Sequence, residues 1–555
     1  MSSGLTEVKA PRLTGFDRLG DWLDQAAAAV SPLWGARRMA ARFATATAKR
    51  FLARAGGYHG AQHDRLKSAW APGGGSADAD LLPDLADLRE RSRDLNRNDP
   101  HAAAITMTMA VNIVGTGITP QCRLAAEKLG ITEASANEYE NEAEDAFALW
   151  CPHADAQNRQ DFYQMQWMVL SQILMNGEVF ALPLMVKEAG RPFSFAWEII
   201  EADRVETPPH LAAQSNIRDG VELGDRGEPV AYYIRKRHPG DRLLPSGAVP
   251  IARDEWLRYP ARNRVGRLNV HHLYWVKRPG QTRGEPFFAP VLSYFKHLGD
   301  IVEAEIVAER IAACFAVFIK KGANPLGAAI AAAGSTNTQG QRLETIEPGI
   351  IERLAEGEEA QFANPNRPGI TFEPFILLVL RAISAALGLP YQVILKDFSR
   401  MNYSSARAAL LDARQFFRVY QDWMAKSFCQ PTWNYVIEEA WLRDMIPPVN
   451  LVSDRSRAYY LKAEWVPPGW GWVDPVKEVE SSKIAIGSAL STMAHECAGQ
   501  GRDWQAVIRQ RKREQEFCKT MGVAPDFGVK AAPGAPADTA AADSPADQPA
   551  QGAYA

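Results

Sequence analysis

The chain has 555 residues, more than one hydrophobic core normally organises, so several domains or one multi-part subunit are expected. It is 46% hydrophobic and 23% charged and carries fifteen Trp, an ordinary globular balance that can build a sizeable core. A formal net charge of −3 lacks the bulk basicity of a protein that grips nucleic acid by neutralising phosphates.

At the N-terminus, Asp21 to Phe51 is Ala-rich and basic, with Arg37, Arg38, Arg42, Lys49 and Arg50, which suits an exposed assembly helix. Asp17, Asp21 and Asp24 spoil the acid-poor signature of a transit peptide. Pro72-Gly-Gly-Gly-Ser76 is a flexible break, so residues 1–79 are an arm and linker. From Asp84 to Val114 the apolar spacing predicts a helix that stops at Gly115-Thr-Gly117, and a helical pair follows over Glu133–Trp150 and Asp161–Leu174. The period then shortens to β-prone runs at 178–186, 193–200, 231–237, 256–259 and 270–276, a mostly antiparallel patch with a hairpin turn at Gly224-Asp-Arg-Gly227.

After Arg278-Pro-Gly280 the spacing predicts a helix over 287–320, a rod of roughly 45–50 Å at about 1.5 Å per residue. Residues 322–374, rich in Gly, Pro, Asn and Ala, read as a separately packed insertion of short strands and turns. Helix resumes over 375–389, and a long helical stretch runs from Tyr403 to Leu442 with Pro431 as its kink. A last helical pair is predicted over 475–497 and 503–521, and the Ala/Pro/Asp-rich residues 531–555 are expected to form a disordered tail.

Catalytic constellations are missing from this pattern. There is no Gly-Lys-Ser/Thr phosphate loop for an ATP-driven motor and no G-x-S-x-G elbow for a serine hydrolase. Gly115-Thr-Gly117 follows a helix where a dinucleotide site needs a strand, and Pro120 stands where its third glycine belongs. His495-Glu496 has Gly499 in place of the second zinc-binding His, which leaves a surface helix end. His271 and His272 alternate across a strand, one packed and one exposed. Glu198, Glu201 and Asp203 read as a solvated strand edge or a subunit salt bridge, since a two-metal nuclease needs a second acidic cluster. The cysteines at 122, 151, 314, 429, 497 and 518 lack C-x-x-C spacing and suit reduced thiols in a cytoplasmic setting. The longest apolar run, 375–390, is interrupted by Arg381 and is short of the roughly 20 residues that span a bilayer, so no membrane segment is expected.

Five segments in succession resemble the lambda-like family of phage portal proteins over about 80–521. They are Arg91-Ser-Arg-Asp-Leu-Asn-Arg-Asn-Asp-Pro100 with Val111-Asn-Ile-Val-Gly-Thr-Gly-Ile118; Ile199-Ile-Glu-Ala-Asp-Arg204 with Gly227-Glu-Pro-Val-Ala-Tyr-Tyr-Ile234; and His272-Leu-Tyr-Trp-Val-Lys-Arg278 through Arg283-Gly-Glu-Pro286. The fourth, Arg381-Ala-Ile-Ser-Ala-Ala-Leu-Gly388-Leu-Pro390 followed by Lys396-Asp-Phe-Ser399 and Asn402-Tyr-Ser-Ser-Ala-Arg407, is the most specific, and the last is Trp465 with Asp474-Pro-Val-Lys-Glu478. Each alone is weak, and their order is what carries the resemblance.

The resemblance implies an α+β, mainly α, elongated subunit with a wing at 80–286, stem helices at 287–320 and 374–390 and a clip at 321–373. A tunnel loop at 391–402, a long wing helix and return at 403–470, a helical crown at 471–524 and a tail at 525–555 complete it. It implies a structural, non-enzymatic homo-dodecamer at the unique capsid vertex of the virion, assembled in the host cytoplasm, through which double-stranded DNA passes. Its partners would be the terminase large subunit, the major capsid and scaffold proteins and the head-completion connectors, with no cofactor, metal or membrane. Lys396, Asp397, Ser399 and Arg400 would line the channel and contact DNA, or Lys396 and Asp397 would pair with neighbouring subunits; Lys320 and Lys321 would mark the clip base, and Trp423, Trp433, Trp441 and Trp465 would serve subunit interfaces. A mildly acidic balance suits a conduit that must not hold the phosphates it passes. A tail or baseplate protein is the structural alternative, and a DNA-processing enzyme such as a terminase is disfavoured by the missing nucleotide loop.

Overall fold

A computed structural model of the chain describes residues 72–242, 255–314, 318–321, 358–361, 372–399, 401–471 and 475–522. The chain divides at Gly75–Ser76, inside the expected Pro72–Ser76 break; the N-terminal arm up to residue 71, Arg400, most of the insertion and the C-terminal tail lie outside the described residues.

Ser76 caps the first helix, α1 (Ala77–Leu81), with its hydroxyl accepting from the Ala79 amide at 3.2 Å. Where the spacing predicts one helix over 84–114, the structure has two, α2 (Leu85–Asn98) and α3 (Pro100–Ile113). The cause is Pro100, which forces Asp99 into an extended conformation at φ −100°, ψ 120°. Asp99 then caps α3, its carboxylate accepting from the His101 and Ala102 amides at 2.9 Å each. β1 (Thr119–Cys122) follows, and α4 (Glu133–Trp150) and α5 (Phe162–Asn176) match the expected helical pair within two residues. Asp161 and Gln164 close a capping box at the start of α5, and Gly177 at φ 84° ends it.

The β-prone runs form two antiparallel sheets, as their alternation predicts. One has the order β3 (Phe195–Ile200), β2 (Glu178–Met185), β8 (His271–Tyr274). The other has the order β4 (Ile217–Arg218), β5 (Val221–Leu223), β6 (Pro229–Arg235), β7 (Trp256–Pro260). The Gly224–Gly227 turn joins β5 to β6, with Gly227 at φ 79° donating to the Gly224 carbonyl at 3.0 Å.

The rod is shorter than its spacing predicts: α6 spans Leu292–Cys314, about 35 Å at 1.5 Å per residue. Residues 289–291 make a tight turn around Pro290 ahead of it, and Phe318–Lys321 is strand β9, paired antiparallel with β10 (Glu358–Gln361). The returning helix is α7 (Phe372–Leu387), stopped by Gly388 at φ 72°. The short α8 (Tyr391–Leu395) leads to α9 (Tyr403–Met424), a π-helical turn at Ala425–Cys429, and α10 (Gln430–Leu442). The expected kink at Pro431 is this wide turn, since proline has no N–H and its ring collides with the carbonyl four residues back. β11 (Ala463–Val466) returns to pair with β1. The expected 475–497 helix is broken after Gly487, giving α11 (Pro475–Gly487) and α12 (Met493–Gly499), and α13 (Trp504–Thr520) closes the described chain.

The main core is aromatic, with Trp150 stacked on Phe195 at 5.4 Å, Phe147 against Trp433 at 5.3 Å and Trp197 against Phe428 at 5.7 Å. Of the four tryptophans assigned to subunit interfaces, Trp433 is fully buried in this interior, while Trp423, Trp441 and Trp465 are half-buried and pack one side against the same core. Their ring surface finds partners in its own chain, and the Trp465 indole donates to Gln430 at 3.1 Å.

A second organising feature is ionic. Glu178, the first residue of β2, is fully buried and takes Arg89 of α2 at 2.5 Å, Arg283 at 2.5 Å, His272 of β8 at 2.8 Å and the Gly284 amide at 2.6 Å. Burial would raise its pKa, but Arg283, Arg89 and His272 together hold it well below the usual carboxylate range. Arg283, also fully buried, donates to the carbonyls of Val205 at 2.9 Å, Ala202 at 3.0 Å and Asp219, and pairs with the Asp219 carboxylate at 2.7 Å. A Cβ on Gly177 would run into the Glu285 backbone and one on Gly284 into Gly177, so both glycines are needed for this approach. Arg283→Met leaves Glu178 buried with one guanidinium and is expected to cost about 3–5 kcal/mol in chemical denaturation. Stability equal to wild type would remove the cluster from its organising role.

Both members of His271-His272 are enclosed, against the expected split between packed and exposed, because β8 is covered on both faces. His272 lies between the rings of Phe180 and Tyr274, each at 4.2 Å, while His271 shares a hydrogen bond with the Tyr435 hydroxyl at 3.2 Å. Burial, aided by Arg262, pushes the His271 pKa down to about 4 from an ordinary 6.5. The unfolded chain therefore binds this proton first, so the contribution is complete above pH 6.5 and is lost as pH falls toward 4. Acidification from pH 7 to 5 should cost about 2 kcal/mol through this residue, measured as the difference in pH dependence between wild type and His271→Gln. Identical pH profiles would refute the assignment.

Candidate functional site

The residues assigned to the channel and the clip base lie on separate elements. Lys320 and Lys321 end β9, where the register sets them opposite Glu359 and Glu358 of β10. They are strand residues at the root of the insertion, not the end of a helix, because the helical segment has already stopped at Cys314.

The segment 391–402 is not loop throughout. Its first five residues are α8, held by Val393 and Ile394, whose side chains are buried in the main core. The irregular part begins at Lys396, which takes a left-handed φ of 54° and donates its amide to the Gln392 carbonyl, capping α8. Asp397 continues this cap, its amide donating to Gln392 at 3.2 Å, and its carboxylate accepts from the Ser399 amide at 3.0 Å and hydroxyl at 2.6 Å. Asn402 then caps α9 by accepting from the Ser405 amide at 2.8 Å. Lys396, Asp397 and Ser399 thus share one exposed polar turn between two anchored helices, and Arg400 lies outside the described residues.

The other sequence candidates have structural occupations. Asp203 pairs with Arg93 at 2.6 Å and Glu201 with the same arginine at 3.4 Å, so this acidic edge is tied to α2 within the chain. His238 approaches both carboxylates, at 3.4 and 3.5 Å, and among the described residues these three form the one group with the spacing of metal ligands. Arg93 already supplies the positive charge there, and a metal ion would have to compete with it. Glu496 accepts from Ser482 and Ser491 at 2.6 Å each, which satisfies a carboxylate at a helix start without any ion. Gly115 and Gly117 both have positive φ, and a Cβ on Gly117 would collide with the Tyr163 ring, so this turn is glycine-rich for packing against α5.

Sequence reasoning overlooked Glu178. The signal available was a charged residue opening an otherwise apolar strand, which a buried sheet tolerates only when the charge is matched. Its principal partner, Arg283, lies in the quoted segment Arg283-Gly-Glu-Pro286, nine residues before α6 begins. The helix–insertion–helix unit is therefore rooted directly in the buried ionic cluster.

The family model described as phage portal protein, lambda family, matches residues 63–421. Portal protein B of Escherichia phage lambda is 25% identical over 505 residues, covering 86% of this chain and 92% of that protein. A protein of Halomonas phage phiHAP-1 named "Probable portal protein" is 25% identical over 476 residues, covering 84% and 88%. A chain in the virion of a native gene transfer agent particle aligns with 13% identity and a TM-score of 0.40, over 77% of this chain and 94% of that one. With a family model that spans well over half of its length, the chain belongs to the lambda family of phage portal proteins.

Proposed function

We propose that this portal chain closes into a dodecameric ring at one vertex of a phage capsid, where it conducts double-stranded DNA into the head during packaging and out of it at ejection. The observation that carries this reading is the unit α6, β9–β10, α7, two helices flanking an insertion whose base is an antiparallel ladder. In a ring, α6 and α7 would be the stem, residues 321–373 the clip and 80–286 the wing. The turn at Lys396–Asn402 would face the channel, with the helix behind it and its return (403–470) in the wing and 471–524 in the crown.

The clip base at Lys320 and Lys321 would receive the terminase large subunit and later the head-completion connectors, while capsid and scaffold proteins surround the wing. The motor's chemistry stays with the terminase, so this chain acts structurally. Its described residues offer an exposed turn anchored at both ends, a suitable mounting for polar groups that touch a moving polyanion without gripping it.

Purified protein imaged by negative stain is expected to show closed twelve-fold rings and no DNA-stimulated ATP hydrolysis; a monomer with such hydrolysis overturns the proposal. Lys396→Ala combined with Arg400→Ala is expected to leave ring assembly intact while lowering the yield of packaged, DNase-resistant genomes several-fold. Normal packaging by that double variant would remove the turn from the DNA path.

A further inference from the structure

The chain as a whole carries a net charge of −3, yet α13 holds Arg509, Arg511, Lys512, Arg513 and Lys519 against only Glu514 and Glu516, a net +3 in 17 residues. All seven of these residues are exposed. At 3.6 residues per turn, Arg509, Lys512, Arg513 and Lys519 fall within about 120° of arc, with Glu516 among them, opposite Trp504, Val507 and Cys518. The helix therefore has a basic face along roughly 15 Å of its axis.

A solvated charged face is the ordinary account of such a run, and α2 shows what that looks like in the same chain. Each of its four arginines has a carboxylate partner: Arg89 with Glu178 at 2.5 Å, Arg91 with Asp87 at 3.2 Å, Arg93 with Asp203 at 2.6 Å and Arg97 with Asp94 at 3.9 Å. On α13 the one such pair is Lys512 with Glu516, at 3.9 Å and exposed. Arg509 donates to neutral Gln505 at 3.0 Å and acts at longer range on Glu140 and Glu144 of α4, while Arg511, Arg513 and Lys519 form no ion pair among the described residues. The helix dipole favours Lys519 in the last turn but not the four cations between 509 and 513.

We propose that α13 is a docking surface for the phosphate backbone of double-stranded DNA, separate from the channel turn. Duplex DNA presents one negative charge per about 1.7 Å, so a 15 Å stretch offers about nine, a density that a peptide partner rarely reaches. The cations outnumber the carboxylates on this face, and the charge density of the duplex is what favours phosphates over a protein surface. The proposal rests on the portal reading for the source of that DNA, which would be genome already inside the head.

The test is binding of covalently closed circular duplex DNA, which has no end to thread through a ring, by the full chain between about 50 and 200 mM salt. Wild type is expected to bind with a steep salt dependence. The variant combining Arg509→Gln, Lys512→Gln, Arg513→Gln and Lys519→Gln is expected to bind at least about tenfold more weakly, with a slope shallower by about 3. Unchanged affinity and slope in that variant, with helix content retained, overturn the proposal. Arg509→Lys with Arg513→Lys should keep most of the binding, because charge is what displaces counterions, and loss there equal to the glutamine variant counts against it. If wild type fails to bind but a chain with Asp526, Asp538, Asp543 and Asp547 all changed to Asn does bind, the helix is occupied by the protein's own acidic tail and the DNA assignment falls. Rings that form normally while α13 variants bind like wild type sink this inference alone; DNA binding through α13 by a chain that forms no ring sinks the portal reading instead.

Discussion

The fold depends on a single buried carboxylate. Transferring the Glu178 charge out of water costs several kcal/mol unless cations and N–H donors replace the lost hydration, and the chain supplies Arg89, Arg283, His272 and the Gly284 amide. Those groups come from α2, from β8 and from the segment leading to α6, so satisfying one charge fixes three elements against β2. Arg283 extends the constraint by bonding to Ala202, Val205 and Asp219, which brings in the connections between β3 and β5. Asp78 completes the ring of contacts from α1, accepting from the Thr282 amide and from Arg218 at 2.8 Å each. Losing any one partner leaves the others desolvated, which makes the cluster cooperative.

That cooperativity matters for where the candidate functional residues sit. α6 begins nine residues beyond Arg283, with only the turn at 289–291 between them, so the helix leaves the body from a rigid root. At the other end of the unit α8 is held by Val393 and Ile394, and the exposed turn begins where that burial stops. Polar side chains are thus presented on a short irregular stretch whose two ends are fixed, the arrangement expected when a loop must be positioned yet yield.

Much of the secondary structure was legible because it follows from local periodicity: the helices at 133–150 and 162–176, the antiparallel strands and the break at Pro431 all stand where spacing and proline put them. The misplacements share a cause. Helical spacing runs uninterrupted through Asp99-Pro100 and through Phe287–Val291, so the pattern alone overrode the backbone restriction that proline imposes. Trp433 and His271-His272 were misassigned for another reason, namely that a one-dimensional pattern gives the faces of a strand or helix but not which faces are covered. Glu178 was overlooked because its partners lie 89, 94 and 105 residues away, and no local window contains them. Lys396, Asp397 and Ser399 were found through resemblance, and the structure adds the reason they form one turn: a left-handed Lys396 and a carboxylate that folds back onto Ser399.

Charge was the most misleading of the bulk quantities. A formal −3 averages over 555 residues, whereas screening at physiological salt limits each charge to about 8 Å, so a distant carboxylate cannot silence an exposed arginine. What decides local behaviour is pairing. The arginines of α2, and Arg283 beside them, are consumed by structure, which is why a segment that looks arginine-rich in sequence has little positive potential left to offer a ligand. The cations of α13 are fewer than those of the body but mostly uncommitted, and they lie on one face of one helix. A chain can therefore be acidic in sum and still carry a strongly basic local surface.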